Sequence, residues 1–277
     1  MMKISIIGTG KMALGIVQVF LNERNNITVV GRSKESCSKF KSTLFDTLKF
    51  KAKLSDEKII QIMSNCIVSH DLNIINGSDI VIEAIIEDFS EKIKILKNIE
   101  MLVDIKSIIA TNTSSISINK LSEKIEYKKR FLGIHFFNPV PLMGLIEIVK
   151  SDFTDDTTLE TVKNLITDIN KIGIITKDTP GFIVNRILIP MINDAIILLE
   201  TKVADAENID LAMKLGANFP IGPLALSDFI GNDIVLNILD NMFEQSNNDR
   251  FKSSNLLKNM VNSGLLGKKV KKGFYNY

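Results

Sequence analysis

The first two thirds of the chain switch repeatedly between short apolar runs and longer stretches in which apolar residues recur three or four positions apart. Short runs bounded by turn residues predict buried strands, and the longer stretches predict amphipathic helices. Strands are expected at 3–8, 27–30, 66–69, 80–84, 107–111, 131–136, 145–150 and 172–176. An apolar helix from Leu14 to Phe20 joins the first two, as a βαβ unit requires. Two polar helices follow at 34–52 and 55–64, marked by Phe40, Leu44 and Leu48 and by Ile59, Ile60 and Met63, with Lys49, Lys51 and Lys53 near the bend. Helices at 90–102 and 155–170 link later strands, with Thr154 expected to cap the second. This alternation predicts an α/β fold built on a doubly wound sheet.

After Thr179-Pro180-Gly181 the strand pattern stops. Helices are expected at 182–200, 205–216, 227–244 and 254–263, with Ser227 and Ser254 as N-caps and Gly264 just past the last. A boundary near Pro180 divides the chain into residues 1–180, with a helical arm at about 34–64, and a smaller all-α domain, 181–277. The most apolar stretch, Phe182 to Leu199, contains Asn185, Arg186, Pro190, Asn193 and Asp194. That set fits a core or subunit-interface helix and speaks against a membrane span.

Composition narrows the function. The 277 residues suffice for roughly two domains. With 34 basic against 32 acidic residues and no long run of one sign, there is no field suited to nucleic acid. Cys37 and Cys66 lack metal-ligand spacing and fit a reduced, cytoplasmic setting. Nothing reads as an export signal, since the apolar run Ile4–Ile7 is interrupted by Ser5 and passes straight into a glycine motif.

That motif, Gly8-Thr9-Gly10-Lys11-Met12-Ala13, opens a helix directly after the first strand. Gly8 permits the tight turn, Gly10 lets the backbone approach a pyrophosphate, and Ala13 is small enough for helix–strand packing. Residues 1–180 are therefore expected to bind a dinucleotide. A NAD-type site wants an Asp or Glu at the end of the second strand. Here stand Gly31, Arg32, Ser33 and Lys34. A guanidinium welcomes a 2′-phosphate that a carboxylate would repel, so NADP(H) is favoured, with NAD(H) the alternative.

Asn112-Thr113-Ser114-Ser115 follows another strand and reads as a ligand-lining loop or as a run of capping residues. The stretch FLGIHFFNPVPLMGLIE, 131–147, delivers His135 at a strand end, a proline loop, and then Glu147 within a second apolar run. A carboxylate beside an imidazole fixes its tautomer and favours the protonated ring, the arrangement of an acid/base unit acting on a carbonyl. The other histidine, His70, reads as a surface residue.

Together IIGTGKMALGIVQVF, DIVIEAIIED, ATNTSSISI, GIHFFNPVPLMGLIEIV, PGFIVNRILIPMINDA, AMKLGANFPIGPLALSDFIG and KKGFYNY resemble the L-3-hydroxyacyl-CoA dehydrogenase family along essentially the whole chain. The resemblance implies a Rossmann-type domain followed by an all-α domain that completes the substrate site and dimerises. It implies reversible reduction of a short 3-ketoacyl-CoA, with His135 as general acid/base, Glu147 as its partner, and Ser114 and Asn185 on the substrate oxygen. By the same resemblance Glu87, Lys92 and Asn138 meet the cofactor, and Lys51 or Lys53 meets CoA. The departure from the family pattern is Gly31-Arg32 in place of the acidic ribose anchor. Two other readings compete: a dehydrogenase of a free 3-hydroxy acid or sugar acid on the same scaffold, and a non-catalytic nucleotide-binding structural protein.

Overall fold

The computed structural model describes residues 2–22, 25–50 and 52–277. The chain divides between Asp178 and Thr179 into two compact units. In the first, strands β1 (Met2–Ile7), β2 (Asn25–Val30), β3 (Cys66–Ser69), β4 (Ile80–Glu83), β5 (Ile108–Thr111), β6 (Phe131–Phe136), β7 (Leu145–Lys150) and β8 (Ile172–Lys177) form one sheet. Their order is β3-β2-β1-β4-β5-β6-β7-β8, and every neighbouring pair is parallel except β6–β7. β4, β5 and β6 are buried at every position, as expected of central strands covered on both faces. The fold is the doubly wound α/β architecture that the alternation predicts.

Helices α1 (Lys11–Phe20), α2 (Lys34–Phe50), α3 (Asp56–Met63), α4 (Phe89–Leu102), α5 (Ile118–Ser122) and α6 (Asp156–Asp168) complete this unit. α2 and α3 form the arm, burying Phe40, Leu44 and Leu48 against Ile59 and Ile62. Ile60, expected inside, is 67% exposed, because the apolar stripe of this short helix runs through Ile59, Ile62 and half-buried Met63. The cap of α6 also differs from expectation. Asp155 accepts from the Thr158 N–H at 2.7 Å, while Thr154 donates to the Phe131 carbonyl and accepts from the Ser151 N–H. Thr154 thus ties a loop to β6.

The second unit contains only helices: α7 (Val184–Glu200), α8 (Ala206–Gly216), α9 (Pro223–Ile230), α10 (Asn232–Ser246) and α11 (Asn255–Asn262), besides single turns. The helix expected at 227–244 is two helices, broken at Gly231, whose φ of 111° no helix accommodates. α9 begins earlier, with Pro223 at a first-turn position where its missing N–H costs nothing. Asp210 of α8 caps it from outside, accepting from Leu224 N–H at 2.8 Å and Ala225 N–H at 2.9 Å. Ser227 is therefore not an N-cap; it lies within α9 and donates to Asn232 Oδ1 at 2.6 Å. Ser254 caps α11 through the Leu257 N–H, and Gly264 takes a φ of 74° beyond it.

Candidate functional site

The chain runs β1 to β2 to β3 on one side and returns to β4 on the other, so β1 and β4 flank the topological switch point. In open α/β sheets the crevice beyond the carboxyl ends of such strands handles ligands. Gly8 lies there with a φ of 129°, and a Cβ on it would stand 2.4 Å from the Ala84 carbonyl oxygen. Only glycine fits. Gly10 is the N-cap of α1, with no side-chain cap, no acidic residue in the first turn, and no heavy atom within 4 Å of where a Cβ would be. The helix therefore presents its unpaired N–H groups and its positive end to open space that a pyrophosphate suits. A cleft of about 780 Å³ lies against this loop, lined by Gly8, Gly10, Lys11, Met12, Gly31 and Arg32 among others.

At the end of β2 the missing carboxylate has a steric reason. A Cβ on Gly31 would stand 2.6 Å from Cys37 Sγ and 2.8 Å from Thr9 Cγ2, so no side chain fits without displacing them. Ser33 and Ser36 bond each other's backbone N–H groups and close the first turn of α2. Arg32 extends from this rigid corner and is exposed.

The ends of β4 and β5 carry a buried polar network. Glu83 and Lys92 are fully buried, with Lys92 Nζ 2.8 Å from Glu83 Oε1 and 3.4 Å from Glu87 Oε2. Thr111 also donates to Glu83 at 2.6 Å. Glu87 Oε1 accepts from Thr113 Oγ1 and from the backbone N–H groups of Ser114 and Ser115 at 2.6–3.0 Å. Burial would raise the Glu87 carboxyl, but Lys92 and the donors of Thr113, Ser114 and Ser115 outweigh that and hold it below its ordinary value. Lys92, expected to meet the cofactor, has no exposed surface and is engaged with Glu83 and Glu87. Asn112 extends the chain of contacts, accepting at Oδ1 from the Phe136 N–H at 3.0 Å. The Ser114 loop is thereby tied to the residue after His135.

His135 and Glu147 face each other directly in the antiparallel β6–β7 ladder. His135 Nδ1 lies 2.7 Å from Glu147 Oε2; the imidazole is 6% exposed and the carboxylate fully buried. An ionised carboxylate only accepts, so with Glu147 charged this contact places the hydrogen on Nδ1. The proline loop between the strands is anchored twice. Val140 packs against Gly15 of α1, where a Cβ would stand 2.8 Å away, and Lys171 donates to the Met143 carbonyl at 2.6 Å. Asn138 in this loop is exposed.

Of the remaining candidates, Asn185 is buried in α7 of the second unit. Lys53 is exposed at the turn between α2 and α3, with a φ of 55°. Lys51 lies outside the described residues. His70 is exposed, as expected of a surface residue, yet it lines the dinucleotide cleft. Glu83 had no role on sequence grounds, although a carboxylate ending the apolar run IVIE was the available signal. Among the described residues no group of His, Cys, Asp and Glu is arranged to hold a metal, and no helix is long and apolar enough to cross a membrane.

A glycine loop at the switch point of a doubly wound sheet, with a His–Glu pair further along the same sheet, defines a dinucleotide-dependent oxidoreductase. Family models sharpen this: the 3-hydroxyacyl-CoA dehydrogenase NAD binding domain matches residues 3–179, and the C-terminal domain of the same family matches 181–277. The chain belongs to the 3-hydroxyacyl-CoA dehydrogenase family. It is 38% identical to a 3-hydroxybutyryl-CoA dehydrogenase of Clostridioides difficile, covering 100% of this chain and 99% of that protein. It is 36% identical to the mitochondrial hydroxyacyl-coenzyme A dehydrogenase of Sus scrofa, covering 99% and 90%. Among solved structures, an (S)-3-hydroxybutyryl-CoA dehydrogenase from Ralstonia eutropha superposes with a TM-score of 0.94 at 40% identity, covering 99% of this chain and 98% of that one.

Proposed function

We propose that the protein catalyses the reversible, NADP(H)-dependent reduction of acetoacetyl-CoA, or a related short 3-ketoacyl-CoA, to the 3-hydroxyacyl-CoA. The observation that carries this reading is the His135–Glu147 pair, with Glu147 buried opposite the imidazole and its Oε2 2.7 Å from Nδ1. The bound nicotinamide supplies the hydride, and this chain's residues position the ketone and manage its proton. Glu147 holds the imidazole so that Nε2 points its proton at the 3-oxygen during reduction and takes it back during oxidation. Ser114 and Asn185 are, by the family resemblance, substrate-binding residues, and a donor to this oxygen stabilises the negative charge that develops there, an effect often worth about 3 kcal/mol per donor. Glu87 and Asn138 meet the cofactor's ribose and nicotinamide portion, with Lys92 holding Glu87 in place. Lys51 or Lys53 meets the CoA phosphates.

The cofactor preference rests on Gly31 and Arg32. Cys37 and Thr9 leave no room for a carboxylate at Gly31, and Arg32 supplies the guanidinium a 2′-phosphate prefers. The enzyme works as a homodimer through its helical unit, whose Ile187, Leu215 and Phe229 are each more than half exposed in the single chain. The free thiols of Cys37 and Cys66 suit a reduced compartment such as the cytoplasm.

Three measurements test this. The H135Q variant should lose turnover by about 10²–10⁴-fold, the usual worth of a positioned acid/base, while binding NADPH nearly as tightly as wild type; substantial retained turnover would sink the assignment. Free acetoacetate should be a far poorer substrate than acetoacetyl-CoA, and equal efficiency would favour a dehydrogenase of free acids. Initial rates should favour NADPH over NADH.

A further inference from the structure

We infer that His70 is a second ligand, beside Arg32, for the 2′-phosphate on the adenosine ribose of the dinucleotide. This rests on the NADP(H) reading above and extends it to a residue whose sequence context marks it only as surface. β3 runs parallel to β2 with Val30 opposite Ser69, and the Gly31 N–H donates to the Ser69 carbonyl at 2.9 Å. Adjacent strands stand about 4.8 Å apart. Gly31-Arg32 and His70 therefore leave the sheet side by side at its carboxyl edge. Arg32, Ser36 and His70 all line the same cleft. Arg32 and His70 are exposed, and neither side chain makes a hydrogen bond or ion pair among the described residues.

The charges around them suit a dianion. Arg32 and Lys34 stand at the start of α2, against Glu35 in its first turn. Across the cleft, α4 contributes Glu91 and Lys94. Asp71 follows His70 but is already engaged, accepting from Asn73 N–H at 3.0 Å and Asn73 Nδ2 at 2.8 Å. Leu72, Ile86 and Ile95 line the same cleft and offer adenine its apolar contacts, which leaves the imidazole free to donate. An imidazole presents an N–H in either tautomer, and its hydrogen bond to a phosphate oxygen is charge-assisted.

The test compares His70→Ala, His70→Gln and Arg32→Ala with wild type by isothermal titration calorimetry, using NADP⁺ against NAD⁺ and 2′,5′-ADP against 5′-AMP. Removing His70 should weaken NADP⁺ and 2′,5′-ADP about tenfold, the scale of one hydrogen bond to a charged group, and leave NAD⁺ and 5′-AMP unmoved. His70→Gln, which keeps a donor, should recover part of the loss. Equal weakening of the phosphorylated and unphosphorylated ligands would overturn the assignment and make His70 an adenine contact. No change in any ligand would overturn it as well. Wild-type protein that binds 2′,5′-ADP no better than 5′-AMP, with Arg32→Ala equally indifferent, would remove the NADP(H) reading itself. Because His70 is exposed, an unchanged melting temperature is expected of its variants.

Discussion

Glu87 shows how much at this site depends on single oxygen atoms. Its carboxylate is wanted ionised: burial opposes the charge, while Lys92, Thr113, Ser114 and Ser115 favour it more strongly. A carboxyl whose value is lowered by folding contributes stability that is fully present above its unfolded value, about 4.3, and that disappears as pH falls through the lower folded value. The stability gap between wild type and E87Q, followed by circular dichroism in urea, should therefore be widest near neutrality and close on acidification. A gap that stays constant into strong acid would mean that charge is not its source. Residues of this kind divide sharply in how visible they are in sequence. His135 stands out because prolines at 139 and 141 follow it and force a strand to end there. His70 has no such neighbours. What matters about it is that β3 pairs with β2, a relation between segments with 35 residues (31–65) between them that no local pattern carries.

At the level of elements, the C-terminal segment is held by carboxylates acting as surrogate backbone. Asp228 of α9 is 1% exposed; its two oxygens accept from Asn232 Nδ2, the Phe274 and Tyr275 N–H groups and the Tyr277 hydroxyl. Asp210 does the same for the first turn of α9 and for the Tyr275 hydroxyl. Replacing Asp228 with Ala leaves the buried Asn232 amide and the part-buried Phe274 and Tyr275 N–H groups without this acceptor, at up to about 1–3 kcal/mol for a buried donor. The D228A variant should melt well below wild type and lose its last residues to protease first; an unchanged melting temperature would show that water replaces the carboxylate at little cost. The helices themselves were legible from apolar spacing, but their joints were not. Residues 227–244 read as one helix because the apolar period runs across Gly231, and only the pairing of Pro223 just inside a helix with Gly231 just past it marks the true unit.

For the whole molecule, the alternation of strands and helices followed by helices alone was enough to predict a doubly wound sheet and a helical unit. It did not reveal that β6 and β7 are antiparallel, since a connection of eight residues between two apolar runs fits either a hairpin or a crossover start. The helical unit leads to a prediction at the same scale: sedimentation should find two 30.9 kDa chains together, and a monomer at micromolar concentration would remove the homodimer from the proposal. The antiparallel pair has a further meaning for how such an enzyme can be reshaped. His135 and Glu147 are set against each other by the ladder, so the length of the loop joining them does not determine their distance. A longer or shorter loop between Phe136 and Leu145 would leave that pairing in place, provided it keeps an apolar foot on Gly15 and a carbonyl for Lys171. A slip of β7 by a single residue would instead turn Glu147 to the opposite face of the sheet, away from His135. The pairing of the two side chains is thus fixed in the strands of one hairpin, and the bend that joins them answers only to its own two anchors.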